Sequence, residues 1–176
     1  GQLFPMGSAD RVASLRSAIE HFGALAKLDD SQPLAWKSRV EMIACYRLMG
    51  NLTEASRHLQ HWLASNPPAV VQTELQTQGV LLDLAQDDYT AAVNRVKELE
   101  QDNWQRTAEW DDAVIQLFLA ISNAAAEKGD ATQATAWRNQ AIARLPQIAR
   151  YGQFWKRRAE TQLARSVSSD ANSPDE

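Results

Sequence analysis

Several features that define large protein classes are missing from this chain. Its 176 residues contain one cysteine, Cys45, which excludes an intramolecular disulfide. No apolar run approaches the roughly 20 residues that cross a membrane, so we expect no membrane insertion. Glycine and proline are few, at 7 and 6, and sit between segments with helical periodicity. These absences favour a helix-rich body with one continuous core.

Recognisable catalytic motifs are missing as well. The chain has no nucleophile elbow, no glycine loop that would cradle a phosphate and no cysteine pair. The paired acids at 87–88 and 111–112 have the right chemistry for acid and base catalysis. Each pair, however, falls at a turn or a helix start, where capping and the helix dipole explain it. We therefore expect no enzymatic activity and no cofactor.

One group of side chains has the composition of a metal site. Glu54, His58 and His61 lie four and three residues apart, so a helix places all of them on one face. No fourth ligand and no metal-binding motif accompanies them. A solvated helix face explains the group better, and we expect no metal.

What the chain does contain is a short signature that recurs three times. It reads Gly-Asn-Leu-Thr-Glu-Ala at 50–55, Asp-Asp-Tyr-Thr-Ala-Ala at 87–92 and Gly-Asp-Ala-Thr-Gln-Ala at 129–134. Ala55, Ala92 and Ala134 are 37 and then 42 residues apart, inside the period range of stacked helical hairpins. Their single methyl groups let two antiparallel helices approach closely. Arrays of this kind mostly bind other proteins.

The chemistry of the turns explains the signature. Gly50 reaches the left-handed conformation that ends a helix without a steric penalty. Asn51 then caps the next helix, and Glu54 three residues later completes a reciprocal capping box. Asp130 and Gln133 repeat this box in the third signature. Each signature therefore predicts the turn of a helical hairpin.

Apolar periodicity and these turns predict an all-α fold of about 7–8 helices. We expect an extra N-terminal helix over 9–28, hairpins over about 33–66, 70–102 and 108–145, and a capping helix over 148–165. These elements form a single domain over 1–165, followed by a disordered tail over 166–176. Phe154 and Trp155 are placed to cover the open end of the last hairpin.

Six tryptophans are many for this length. Trp104 and Trp155 are candidates for exposed anchors, since aromatic side chains are enriched at binding hot spots. The other four fall on apolar helix stripes, which predicts packing in the core. They are Trp36, Trp62, Trp110 and Trp137.

The first hairpin resembles the tetratricopeptide repeat. The family's helix-one aromatic, turn glycine, helix-two alanine, large apolar residue and closing proline match Tyr46, Gly50, Ala55, Leu59 and Pro67. The third hairpin is similar through its turn glycine and closing proline, and matches at Gly129, Ala134, Ala141 and Pro146. The resemblance covers roughly 33–146, and the observed spacings exceed the family's repeat of about 34 residues.

This resemblance implies a right-handed α-solenoid of stacked antiparallel hairpins, with a concave groove lined by the first helix of each pair. It implies a non-catalytic protein-protein interaction module that binds a peptide or a partner helix in that groove. The groove positions carried over from the family are Lys37, Glu41, Ala44, Arg47, Glu74, Gln78, Leu81, Gln116, Asn123 and Glu127. The carboxylate clamp of some members is not expected, because Val40 and Ala44 stand where lysine and asparagine would be needed.

Basic residues concentrate near the C-terminus. From Arg138 to Arg165 seven basic residues and one acid give a charge of +6, and the remainder carries −10. Such a flank suits nucleic acid, an acidic protein or an anionic membrane, although a solvated cap helix explains it better and we do not expect nucleic acid. The candidate flank residues are Arg150, Lys156, Arg157, Arg158 and Arg165.

Three alternatives to groove binding stay open. The first is a structural domain that self-associates or braces its neighbours in a larger protein. The second, less favoured, is binding of nucleic acid or another anion through the basic flank, and the third is an enzyme with an unrecognised helical active site. The default expectation for its location is a soluble cytoplasmic protein. A soluble domain of a longer exported or membrane-anchored protein is the alternative.

Overall fold

A computed structural model describes residues 9–101 and 107–170 of the chain. Over these residues the protein is all-helical, as the sequence predicts, and it contains no strand. The elements are α1 (Ala9–Leu25), α2 (Pro33–Leu48), α3 (Leu52–Ala64), α4 (Ala69–Ala85), α5 (Tyr89–Gln101), α6 (Ala108–Glu127), α7 (Ala131–Ala143), the short α8 (Leu145–Ile148), a 3₁₀ turn (Ala149–Tyr151) and α9 (Gln153–Asp170).

The contacts group the chain into two compact units, residues 1–88 and 89–176. The sequence predicts a single domain over 1–165. Of the predicted middle hairpin, 70–102, one helix lies in each of the two units. We describe the units separately as unit 1, which contains α1 to α4, and unit 2, which contains α5 to α9.

Unit 1 is built on the hairpin of α2 and α3. Gly50 adopts a φ of 77°, and the Asn51 side chain accepts a hydrogen bond from the Glu54 amide. Helices α2, α3 and α4 pack against one another, and α1 packs on α2 without burying any side chain fully. The shared core consists of Val40, Ile43, Ala55, Leu59, Leu75 and Leu82. The predicted first hairpin is therefore present, with Ala55 completely buried at its helix crossing.

A buried arginine links the start of unit 1 to this hairpin. The Arg39 guanidinium lies 4.4 Å from the ring centroids of both Trp36 and Trp62. Its Nε and one Nη donate to the carbonyl oxygen of Ala26 at 3.1 and 3.0 Å. The other Nη lies 2.7 Å from Asp30 Oδ1, a charge contact that lacks hydrogen-bond alignment. A cation held between aromatic faces and carbonyls in this way fixes the connection between α1 and α2.

Unit 2 is built on the longer hairpin of α6 and α7. Gly129 adopts a φ of 78°, and Asp130 accepts a hydrogen bond from the Gln133 amide at 2.9 Å. Ser122 Oγ donates to the Ala134 carbonyl oxygen at 2.7 Å and joins the two helices. Helix α6 also contacts α5, α8 and α9, and it contributes most of the buried side chains.

The reciprocal half of each predicted capping box is absent. The Asn51 amide donates to the Tyr46 carbonyl, and the Glu54 carboxylate accepts from Arg57 at 2.6 Å. The Asp130 amide likewise donates to Ala125. Because a glycine-closed turn directs the cap amide back to the preceding helix, the third-position side chain is released for other partners.

The tryptophan predictions have mixed outcomes. Trp36, Trp110 and Trp137 are buried, as predicted, whereas Trp62 is half-buried. Trp155 is also half-buried, and Trp104 lies outside the described residues.

The predicted capping helix differs in its bounds and its buried face. It begins at Gln153, because Gly152 at a φ of 110° breaks the chain, and it continues to Asp170, five residues into the predicted tail. Residues 171–176 lie outside the described residues. The prediction that Phe154 covers the end of the last hairpin is wrong, since 68% of Phe154 is exposed. Ala159 and Leu163 are buried in its place.

Candidate functional site

One side of α2 is left open by the packing of unit 1. At 100° per residue, positions 34, 37, 41, 44 and 48 fall within an arc of about 80°. The buried residues of α2, which include Trp36, Val40 and Ile43, lie outside this arc. Of the predicted groove residues, Lys37, Glu41 and Ala44 belong to the arc.

Helix α4 has a matching open side. Positions 70, 74, 78 and 81 fall within an arc of about 80°, and the buried Leu75, Gly79 and Leu82 lie outside it. Short connections on either side of α3 reverse the chain twice, so α2 and α4 run in the same direction, and the two helices are in contact. We call the two arcs together the α2/α4 face. It contains Leu34, Lys37, Glu41, Ala44, Leu48, Val70, Glu74, Gln78 and Leu81.

This face carries exposed apolar side chains that the sequence reasoning missed. Leu34 is 50% exposed, Leu48 45% and Val70 72%. Among the described residues of unit 1, the other large apolar side chain that is exposed is Leu28, at 36%. The helical register of the groove positions would have identified all three, because each lies three or four residues from a predicted groove residue.

The charged residues of the face influence one another. Protein atoms around the Glu74 carboxylate raise its pKa, the Glu41 carboxylate raises it further, and the Lys37 ammonium opposes both. Burial, together with Glu41, also raises the pKa of the Cys45 thiol. The structure thus brings three predicted groove residues together, and the acidic pair is only partly balanced by the lysine.

Two predicted groove residues have unused hydrogen-bonding atoms. Gln78 Oε1 and Arg47 Nε are buried and have no hydrogen-bond partner among the described residues. Burial lowers the pKa of the Arg47 guanidinium. Arg47 lies about 100° from the centre of the α2 arc, so it belongs to the flank of the face and not to its surface.

The remaining groove candidates are on α6 and belong to unit 2. Gln116 is exposed, and its amide donates to Asp112 Oδ2 at 2.7 Å. Asn123 is half-buried and Glu127 is exposed at the end of the helix. Gln116 therefore already has a partner within its own unit.

The acidic pair of α6 is not a cap, contrary to the sequence interpretation. The cap is Thr107, whose hydroxyl accepts from the Trp110 amide at 3.2 Å. Asp111 is completely buried and accepts from Arg144 and from Tyr151, both at 3.1 Å. The first turn of α6 thus holds a buried carboxylate, and its partners lie 33 and 40 positions later in the chain.

Asp112 is also buried, at 4% exposure, and it binds two side chains of α9. Arg158 Nε donates to its Oδ2 at 2.9 Å, and Gln162 Nε2 lies 3.4 Å from its Oδ1. One predicted flank residue is therefore a structural partner of α6. Sequence spacing gave no signal of this pairing, because the two residues are 46 positions apart.

The five flank residues lie in three environments. Lys156 Nζ lies 3.8 Å from Glu160, one turn away on the same helix. Arg157, Arg158 and Arg165 line one concave surface together with Phe154. Arg150 is exposed on the 3₁₀ turn. The structure thus brings three of the five candidates together.

The histidine group of α3 has other partners. Arg57 binds Glu54, and the His58 ring stacks on Tyr46 with centroids 5.1 Å apart. Burial, and secondarily the Arg57 charge, lowers the pKa of His58, which favours a neutral ring at pH 7. Over residues 9–101 and 107–170, no cluster of three or more His, Cys, Asp or Glu side chains is placed to hold a metal ion.

Two general findings complete the description. In the part of the chain that the structure describes, no helix has both the length and the apolarity to cross a membrane. Comparison with protein-family models, with curated proteins and with solved structures finds no match for this chain.

Proposed function

We propose that the chain is a non-catalytic protein-protein interaction module of the tetratricopeptide type, and that a peptide or partner helix binds along the α2/α4 face. The observation that carries the proposal is the exposure of Leu34, Leu48 and Val70 on the same helix faces as the charged groove candidates. Apolar anchors surrounded by polar groups are typical of binding surfaces.

The chemistry of the face defines the partner it suits. Apolar side chains of the partner would cover Leu34 and Val70, which removes exposed apolar area from water. A lysine or arginine would stand against Glu41 and Glu74, because these two carboxylates are near one another and near a single lysine. The preferred ligand is therefore an amphipathic segment with at least one basic residue.

The test uses capture from an extract of the source cell. The wild-type chain is compared with a Leu34→Glu, Val70→Glu double variant, whose changes lie at exposed positions and should leave the melting temperature nearly unchanged. Ile142→Glu is the matched control, since Ile142 is an exposed apolar residue of α7, at 44%. We expect one or more proteins to be retained by the wild type and by the control and lost with the double variant.

Two outcomes would overturn the proposal. Retention by all three chains would move the binding surface away from α2 and α4. A mass that rises with concentration in light scattering, and falls in the double variant without any retained protein, would support self-assembly.

A further inference from the structure

The outward side of α9 carries an exposed aromatic ring among arginines. Phe154 is 68% exposed and packs edge-on against Trp155, with centroids 5.2 Å apart. It lines a concave surface with Arg157, Arg158, Thr161, Gln162 and Arg165. We call this set the α9 face. Its centre lies opposite the buried Ala159 and Leu163, since these two residues are about half a turn away.

The spacing of the central residues has the pattern of a helix-packing seam. Phe154, Arg158, Thr161 and Arg165 are separated by four, three and four positions. A 4-3-4 sequence keeps side chains on one side of a helix over about 16 Å, the arrangement by which one helix receives another. Arg157 and Gln162 stand on either side of this seam.

The arginines of the face are arranged to meet carboxylates. Asp112 Oδ2 accepts from Arg158 Nε and orients this guanidinium, while 48% of the Arg158 side chain stays exposed. The nearby Glu160 lies 3.8 Å from Lys156, one turn away on the same helix. Arg157 and Arg165 are exposed. A guanidinium oriented as in Arg158 binds carboxylates with well-defined geometry.

We propose that the α9 face binds an acidic amphipathic helix of a partner protein. An apolar side chain of that helix would cover Phe154, and its carboxylates would meet Arg157, Arg158 and Arg165. A protein helix with a few acids suits the surface better than nucleic acid, because phosphate binding needs a broad basic surface and the chain carries a net charge of −4. This surface belongs to unit 2 and is independent of the binding proposed for α2 and α4.

The experiment titrates the full chain with a synthetic helical peptide of about 20 residues, since shorter peptides are marginal as helices. The peptide carries leucine at one seam position and glutamate at the next three. Two further probes are a scrambled peptide of the same composition and a single-stranded oligonucleotide. We expect the designed peptide to bind at low salt and to bind several-fold more weakly at 0.5 M salt, because exposed charges are screened.

Variants separate the seam from general charge. Arg157→Glu with Arg165→Glu should weaken binding of the designed peptide about tenfold or more, and Phe154→Ser should weaken it several-fold. Arg150→Glu is the control for the charge reversal at each single arginine, because it reverses one positive charge on the exposed 3₁₀ turn, and it should have little effect. Melting curves of all variants establish that they are folded.

Three results would contradict the proposal. They are the absence of designed-peptide binding at low salt, equal binding of the scrambled peptide, and displacement of the designed peptide by the oligonucleotide at lower concentration. The last result would identify the α9 face as a nucleic-acid surface.

Discussion

Units 1 and 2 both bury charged side chains, and the partners of these charges lie at different distances along the chain. In unit 1, Asp83 and the Arg39 cation are buried, and the main partners of Arg39 are two tryptophan rings and the carbonyl of Ala26, 13 positions away. In unit 2 the buried charges are Asp111 and Asp112, whose partners Arg144 and Arg158 are 33 and 46 positions away. The partners of Arg39 are therefore closer to it in sequence than the arginines on which Asp111 and Asp112 depend.

This difference has a physical cause. An arginine can be stabilised by aromatic faces and carbonyl groups, which every helix end provides. A buried carboxylate needs hydrogen-bond donors, and a cation is the strongest of them. Removal of one partner from a buried ion pair leaves an uncompensated charge, so the two units should respond differently to comparable substitutions.

The largest effect is expected for Arg144→Met. It leaves Asp111 buried with Tyr151 as its remaining described donor, and it also removes the ion pair with Glu100. We expect a loss of about 3 kcal/mol or more in the free energy of unfolding, measured by urea denaturation. Asp111→Asn should lose less, because Arg144 then keeps Glu100. Equal losses for the two variants would contradict the buried-charge explanation.

Arg39→Met should have the next largest effect. Methionine preserves much of the length but leaves the Ala26 carbonyl without this donor and removes the cation between the rings. We expect a loss of about 2 to 4 kcal/mol, from the unsatisfied acceptor and the lost cation–π contacts. The same denaturation experiment measures it, and tryptophan emission should shift at the same time. A smaller loss for Arg39→Met than for Asp111→Asn would contradict the expected order of these two effects.

Ala55 and Ala134 occupy equivalent positions in the two hairpins but differ in burial. Ala55 is completely buried among α2, α3 and α4, whereas Ala134 is half-buried. Ala55→Trp should therefore lower stability by about 1 to 3 kcal/mol or more, and Ala134→Trp by less. Thermal unfolding measures both, with Ala143→Trp at an exposed position of α7 as the control. Similar melting temperatures for all three variants would contradict a close helix crossing at Ala55.

The smallest effect concerns Glu74. Its pKa is raised in the folded chain above the ordinary value of 4.5, so the folded state binds the proton more tightly than the unfolded state. Ionisation therefore lowers stability as pH rises through the folded pKa. Glu74→Gln should raise the melting temperature slightly at pH 7 and leave it unchanged well below pH 4.5. A larger gain in melting temperature below pH 4.5 than at pH 7 would contradict a raised pKa of Glu74.

Much of the local structure follows from sequence, and the long-range pairing does not. Gly50 and Gly129 have the predicted left-handed backbone, and the caps at Asn51 and Asp130 accept the predicted amides. These features depend on residues within one turn. The prediction that Asp111 serves as a cap is wrong because its partners are far along the chain. Neither helical periodicity nor turn chemistry identifies such distant partners.

The candidate site shows the same division. The groove positions carried over from the tetratricopeptide repeat include Lys37, Glu41 and Glu74, which the structure brings close enough to influence one another. They leave out the exposed Leu34 and Val70 beside them. Apolar residues in an amphipathic pattern are normally assigned to the core, so these two are left out although the helical register places them beside groove positions.

The most direct test of the account is photo-cross-linking in an extract of the source cell. A photoreactive side chain replaces Lys37 on the α2/α4 face, and in a second chain it replaces Ile142 on α7. The account predicts a cross-linked partner protein from position 37 that disappears when Leu34→Glu and Val70→Glu are added, and none from position 142. Equal cross-linking from both positions, or a product at position 37 that survives the two substitutions, would contradict binding at the α2/α4 face.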